Sequence, residues 1–346
     1  MSQNSRFLLV LNKKIQLDFH TDSVNKLSRQ LLPYAHANNL RVHYSVFDRM
    51  KKFAGRGIKY DSNQWIRTNL LDDVLFRSPK LFISISEAEI PLYYLLIFKT
   101  PIKIVLHGAE YFSHPDLRSS SRKKVNERLA RWIIRLIKSR QNVSFLTVSN
   151  WARMEWAKGF NLFAEDIGVV YNPIDDRYFK GINFSVDKKE QIIFIGNSKP
   201  QKNIDRLVDG YRSWAERQTV NVPNLILVGP DDLNQYSASN ILYKGRLSDT
   251  ELHGLLLESK YLVFPSIVES FGLPSVEAQL SGCAIMVSDT SALKEIPSAS
   301  HTVYVNPFSV DSIASGFECL VKTEFPLSYD MIYFENSNTI KNNINS

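Results

Sequence analysis

Apolar residues in this chain gather in short, nearly unbroken runs separated by longer polar stretches. In the first half the runs are FLLVLN (7–12), RVHYSVF (41–47), LFISIS (81–86), IKIVLHG (102–108), VSFLTVS (143–149) and IGVVYNP (167–173). In the second half they are QIIFIGN (191–197), NLILVG (224–229), ILYKG (241–245), YLVFPS (261–266), CAIMVSD (283–289) and HTVYVNP (301–307). A strand with one wet face alternates apolar and polar residues; a continuous run marks a parallel strand buried on both faces. Residues 205–217 and 249–259, between such runs, carry helical periodicity. Alternating β and α elements predict doubly wound parallel sheets. Two series split by the polar stretch 175–190 predict an α/β protein of two Rossmann-like domains facing across a cleft. The expected division is residues 1–175, a linker over 176–190, a second domain over 191–325 and a polar tail over 326–346.

Length and composition agree with this reading. A chain of 346 residues has room for two domains of ordinary size, and 44% hydrophobic with 22% charged residues is usual for a folded protein. The two cysteines, Cys283 and Cys319, lack metal-ligand spacing, so free thiols in a reducing cytosol are expected. An N-terminal apolar run of five residues is too short for a signal segment. The stretch 90–98 falls short of the about 20 residues a bilayer span needs. A cytoplasmic protein is expected, with peripheral attachment to the inner face of the plasma membrane as a further expectation.

Charge changes the picture more than composition does. Residues 1–175 hold 27 Lys and Arg against 15 Asp and Glu, whereas 176–346 hold 15 against 20. A basic half beside an acidic half points the first toward a polyanion. Residues 121–140 carry eight Lys and Arg and one acid, Glu127. Lys124, Arg128, Arg131, Arg135 and Lys138 recur at helical spacing and are expected to form one basic stripe. Val125, Leu129, Trp132, Ile133 and Leu136 are expected to form the opposite, core-facing side. With Arg49, Lys51, Lys52, Arg56 and Lys59 nearby in sequence, the stripe is read as a patch for an anionic membrane surface.

The chemistry is concentrated in SIVESFGLPSVEAQLSGCAIMVSD (266–289). Glu269 and Glu277 stand eight positions apart around a Phe-Gly-Leu-Pro turn. Gly272 allows close approach of the backbone, and Pro274 suits the first turn of a helix, where its missing N–H costs nothing. The N–H groups and positive dipole end of that helix suit a phosphate, while the carboxylates suit sugar hydroxyls. Upstream, FIGNSKPQKN (194–203) leaves a strand and opens a helix. Gly196 permits a tight turn there, and Lys202 brings an ammonium.

These parts resemble family-4 retaining glycosyltransferases of the GT-B fold, of the bacterial surface-polysaccharide type. The motifs that carry the resemblance are VVYNPID (169–175), FIGNSKPQKN, LVGPD (227–231), YKGRLSDTEL (243–252), FPSIVESFGLPSVEAQLSGCAIMVSD (264–289) and LKEI (293–296). By that resemblance, His107, Glu269 and Lys202 are the candidate catalytic residues. Gly196, Asn197, Arg246, Ser270, Phe271, Gly272, Leu273 and Glu277 are the candidate donor-binding residues. Glu269 would contact the hydroxyls of the donor sugar and Glu277 the ribose. Lys202 would stabilise the leaving diphosphate, where negative charge builds up in the transition state. The chain departs from the family in three places: Asn197 stands where Arg is frequent, Gly108 follows His107 in place of Asp, and the loop after strand one has no glycine pair.

The resemblance implies a metal-independent hexosyltransferase whose donor is GDP-mannose or a UDP-sugar, with a lean to mannose, and whose acceptor is a lipid-linked glycan of a surface polysaccharide. The alternative is a non-catalytic, transferase-like scaffold in a polysaccharide assembly complex. No Asp-x-Asp, GxGxxG, Walker A, GxSxG or HExxH is present, and no zinc spacing. A nucleic-acid partner is not expected, because no recognition motif accompanies the basic half.

Overall fold

The computed structural model describes residues 7–12, 41–45, 56–61, 64–69, 81–84, 101–117, 132, 134–138, 140–172, 174–179, 187–219 and 222–323. The chain divides into two compact units, the first running to Pro173 and the second starting at Ile174; His114–Leu117 counts with the second. Lys124, Arg128, Arg131 and the tail over 326–346 lie outside the described residues.

In the first unit β1 (Phe7–Asn12), β2 (Arg41–Ser45), β5 (Leu81–Ser84), β6 (Ile102–Leu106), β7 (Val143–Thr147) and β8 (Ile167–Val169) form one sheet in the order β2-β1-β5-β6-β7-β8. Every neighbouring pair is parallel. The run IGVVYNP yields only a three-residue edge strand, since beyond Val169 the chain leaves the sheet. An antiparallel pair, β3 (Arg56–Asp61) and β4 (Gln64–Asn69), forms a separate hairpin that the run-based reading passes over.

Helix α1 (Asn150–Phe160) follows β7. The Ser149 hydroxyl accepts from the Ala152 amide at 3.0 Å and starts it; Asn161, left-handed at φ 53°, ends it. Trp156 and Phe160 stack at 5.3 Å, and Phe112 meets both edge-on at 4.9 and 5.4 Å. The Lys138 ammonium donates to the Phe160 and Asn161 carbonyls at 3.1 and 3.3 Å, a cation placed at the negative end of α1. Lys138 is therefore held by its own fold and does not act as a free member of the basic stripe. Of the expected apolar face, Val125, Leu129 and Ile133 lie outside the described residues; Trp132 is 52% and Leu136 46% exposed beside exposed Arg135, whereas Ile134 and Ile137 are buried.

The second unit is built from β9 (Lys189–Ile195), β10 (Asn224–Val228), β11 (Ile241–Gly245), β12 (Ser259–Phe264), β13 (Ala284–Ser288) and β14 (Thr302–Val305). They are parallel throughout, in the order β11-β10-β9-β12-β13-β14. This is the Rossmann order, three strands wound one way from β9 and three the other. The apolar runs are buried as both-face burial requires: Ile192–Phe194, Leu225, Leu227, Leu262–Phe264 and Ala284–Val287 are all at 0% exposure.

Helices α2 (Ile204–Ala215), α3 (Asp249–Glu258), α4 (Leu273–Leu280) and α5 (Val310–Leu320) connect the strands. Contact between α2 and α5 is aromatic, with Trp214 stacked on Phe317 at 5.3 Å and Tyr211 edge-on to Phe317 at 5.5 Å. A full capping box starts α3: Ser248 accepts from the Glu251 amide, and the Glu251 carboxylate accepts from the Ser248 amide at 2.7 Å. No helix among the described residues is long and apolar enough to cross a membrane.

Candidate active site

In the second unit the winding reverses between β9 and β12, and ligands of such sheets bind beyond the carboxyl ends of the strands at that reversal. The two segments released there are 196–203 and 265–272, which hold most of the candidate donor-site residues. They are tied together by main-chain and amide bonds. The Ile267 N–H donates to the Gln201 carbonyl and the Gln201 side-chain amide to the Val268 carbonyl, both at 2.9 Å. Buried Asn203, left-handed at φ 58°, donates to the Pro265 carbonyl at 3.1 Å and to the Pro307 carbonyl at 2.7 Å. One amide thus joins the ends of β9, β12 and β14. Gln201 and Asn203 lie inside the quoted motif, yet the sequence assigned neither a task. An Asn directly before a helix is a recognisable start signal, but its bonds to distant carbonyls are visible only in the fold.

At this junction the Lys202 ammonium meets the Glu269 carboxylate at 2.5 Å, with side chains 20% and 13% exposed. The ammonium also lies 4.7 Å from the ring centroid of buried Phe264. Glu269 is held from behind. Its N–H donates to the Ser291 hydroxyl at 3.0 Å, its carbonyl accepts from the Ala292 N–H at 3.3 Å, and the Thr290 hydroxyl donates to the Ile267 carbonyl at 2.9 Å. The segment after β13 therefore braces the segment after β12. Ser291, at φ 54°, is a bracing residue that nothing in its local sequence marks out.

Gly272 opens α4 at φ 89°, a region that favours glycine, and an added Cβ would come within 2.5 Å of Leu293 Cδ2. The Ser275 hydroxyl donates to the Gly272 carbonyl at 2.7 Å, and Phe271 and Leu273 are buried on either side. Ser270 is half-buried. Glu277 sits on α4 at 0% exposure. Burial pushes the Tyr178 phenol well above its ordinary value, and the nearby Glu277 and Asp249 carboxylates add to the effect.

Gly196 and Gly229 end β9 and β10 back to back. The Gly196 N–H donates to the Val228 carbonyl at 3.0 Å, and a Cβ on Gly229 would overlap the Gly196 carbonyl oxygen. Asn197 folds onto its own loop, its side-chain oxygen accepting from the Lys199 N–H at 3.0 Å. Ser198 is bound to the Asp232 carboxylate through both its N–H and its hydroxyl. Arg246 is exposed just beyond β11, within electrostatic reach of Tyr243. The Tyr243 phenol donates to Asp231 at 2.7 Å and is raised above its ordinary value chiefly by that bond.

His107 belongs to the first unit. It is buried at 8% exposure where β6 ends, and Gly108 follows at φ 71°. The Thr147 hydroxyl fixes that strand end by donating to the Leu106 carbonyl at 3.0 Å. The fold thus brings Lys202, Glu269 and the Phe-Gly-Leu-Pro turn together, and places His107 in the other unit.

Comparison with known proteins agrees with this architecture. Residues 176–337 match the family described as Glycosyl transferases group 1. The chain is 31% identical over 175 residues to the O-antigen chain mannosyltransferase RfbU of Salmonella typhimurium, covering 47% of this chain and 46% of that protein. It is 29% identical over 189 residues to the O-antigen chain mannosyltransferase B of Escherichia coli, covering 49% of each. The chain thus spans about half the length of these curated relatives. Among solved structures, sucrose-phosphate synthase from Thermosynechococcus elongatus superposes with a TM-score of 0.68 at 14% identity, covering 92% of this chain and 90% of that one. HepE of Anabaena in complex with UDP-glucose gives 0.62 at 15% identity, covering 91% and 90%. With its two parallel sheets and its solved neighbours the chain has the GT-B fold, and its segment 176–337 is similar to the glycosyl transferases of group 1.

Proposed function

We propose that the protein is a retaining, metal-independent glycosyltransferase that moves a hexose from a nucleotide sugar to a surface-polysaccharide acceptor. The observation that carries this reading is the Lys202–Glu269 pair at the reversal between β9 and β12. Each side chain neutralises the other in a part-buried place. A diphosphate, with more negative charge than one carboxylate, then draws the ammonium to itself and leaves Glu269 to accept from sugar hydroxyls. Breakage of the glycosyl–phosphate bond transfers an electron pair to the diphosphate oxygen, and Lys202 together with the α4 N-terminus stabilises that charge as it forms. Glu277 is proposed as the ribose ligand and His107 as a group near the reacting centre, both on the family resemblance. A mannose donor is favoured by the names of the two O-antigen relatives.

The test is a thermal-unfolding screen with GDP-mannose and a panel of UDP-sugars. A ligand that binds only the native state stabilises it by about 2.7 kcal/mol at one hundred times its Kd. GDP-mannose is expected to raise the midpoint most. Absence of any shift with every nucleotide would instead favour the scaffold alternative.

A lipid-linked acceptor requires the enzyme to work at a membrane surface. We propose that the exposed Trp132, Leu136 and Arg135 belong to the face that docks there: Trp and Leu enter the interface while Arg meets anionic headgroups. Lys124, Arg128 and Arg131 are proposed to contribute charge. The double substitution Trp132→Ser and Arg135→Glu is expected to release the protein from phosphatidylglycerol-containing vesicles in a flotation assay, as raised salt weakens the wild type. Binding equal to wild type would sink this docking face.

A further inference from the structure

Lys188 precedes β9 by one residue, and its ammonium donates to four main-chain carbonyls: Leu256 at 3.0 Å, Leu257 at 2.8 Å, Ser259 at 3.0 Å and Ser281 at 2.8 Å. Leu256 and Leu257 lie in the last turn of α3 and Ser259 is its cap; Ser281 is the cap of α4. The last carbonyls of a helix lack the amide partners of its interior and carry its negative end, and of those here the Leu256 carbonyl also accepts from the Ser259 N–H. Two such ends converge here on one cation, which has three protons for the four acceptors.

The Cys283 thiol reaches the Leu256 and Ser259 carbonyls as well, both at 3.2 Å. Burial pushes that thiol up to about 11, so it stays neutral and leaves the ammonium to the carbonyls. Burial also pulls Lys188 below the ordinary lysine value, while its hydrogen bonds to the four carbonyls favour the charged form.

The other ends of these helices bear on the proposed donor site. The Ser248 cap and Arg246 precede α3, while Gly272 and Glu269 precede α4. With 10 and 8 residues, the helices are about 15 Å and 12 Å long at about 1.5 Å per residue. Rods this short carry a displacement of one end to the other with little loss. We propose that Lys188 is a positioning residue for donor binding: by locking the C-terminal ends of α3 and α4 to one charge, it sets where their N-terminal ends lie. The proposal rests on the donor-site reading above.

The test is calorimetric titration of GDP and UDP into wild type, Lys188→Met and Lys189→Met, well below each unfolding midpoint. Lys188→Met keeps the bulk of the stem and removes the ammonium; about tenfold weaker binding of the preferred nucleotide is expected, equivalent to about 1.4 kcal/mol. Lys189→Met is the control. It deletes only the exposed ion pair with Glu258 at the same helix end, 2.6 Å long, and is expected to bind as wild type does. A purely structural Lys188 would lower the midpoint and leave the affinity of the folded protein unchanged, which overturns the proposal. Should Lys188→Met fail to fold, Lys188→Arg keeps the charge on a planar group that cannot face four carbonyls, and the same weakening is expected; wild-type affinity there overturns the proposal equally. No binding to wild type overturns the donor reading and this proposal with it, whereas binding to wild type and variant alike overturns only the role of Lys188.

Discussion

Lys202→Ala is expected to lower turnover by about 10²–10³, the usual cost of deleting one group aimed at charge that develops in the transition state. The measurement is release of nucleoside diphosphate at saturating donor. The drop belongs in kcat more than in KM, because the diphosphate carries more charge on its bridging oxygen as the bond breaks than before it. Glu269→Ala is expected to do comparable harm for a different reason: it removes the proposed acceptor of the sugar hydroxyls and frees Lys202 from its 2.5 Å partner. Since a lone charge left in a part-buried place costs stability as well, the paired variant Lys202→Met with Glu269→Gln separates the two effects. It should recover the unfolding midpoint and remain inactive. Full turnover in both single variants would move the chemistry elsewhere.

Gly229→Ala is expected to be the most damaging single methyl in the second unit. The new Cβ would overlap the Gly196 carbonyl oxygen, a main-chain atom of a residue held beside β10 by its N–H bond to the Val228 carbonyl, so it cannot rotate away as a side chain would. Overpacking against a rigid neighbour costs about 1–3 kcal/mol, and the upper end applies where the neighbour is backbone. Urea unfolding followed by tryptophan fluorescence reads this directly. Because Gly196 begins the segment that ends in Lys202, nucleotide affinity should fall too. A variant with wild-type stability and affinity would show that the two strand ends separate freely.

These two predictions draw on different kinds of information. Lys202, Glu269 and Gly196 were legible as site candidates, because their motifs stand in a family-like order and spacing. Gly229 stood in the motif LVGPD without a task, and its importance is a contact with a residue 33 positions away. The basic stripe shows the opposite case. Three of its bases lie outside the described residues, and two residues expected on the core-facing side, Trp132 and Leu136, are exposed while Ile134 and Ile137 are buried. An apolar residue counts for either face until the neighbours that cover it are known. Lys138 matched the stripe by spacing and was taken by the carboxyl end of α1 instead.

What the sequence by itself determined is the local and the repetitive. Short unbroken apolar runs bounded by turn residues predict strands, the inner ones covered on both faces, and their alternation with helical segments leaves few arrangements other than doubly wound sheets. The Gly-Leu-Pro start of α4 is equally local, since left-handed backbone and a missing N–H are properties of single residues. Only the tertiary structure decided which of these pieces meet. Strand order sets β9 beside β12, and this brings Lys202 onto Glu269 across 67 positions and Lys188 onto the ends of two helices. Such pairings arise because the sheet is ordered by burial and winding rather than by chain position, so the partner of a charge is fixed only once the strands between them have been placed.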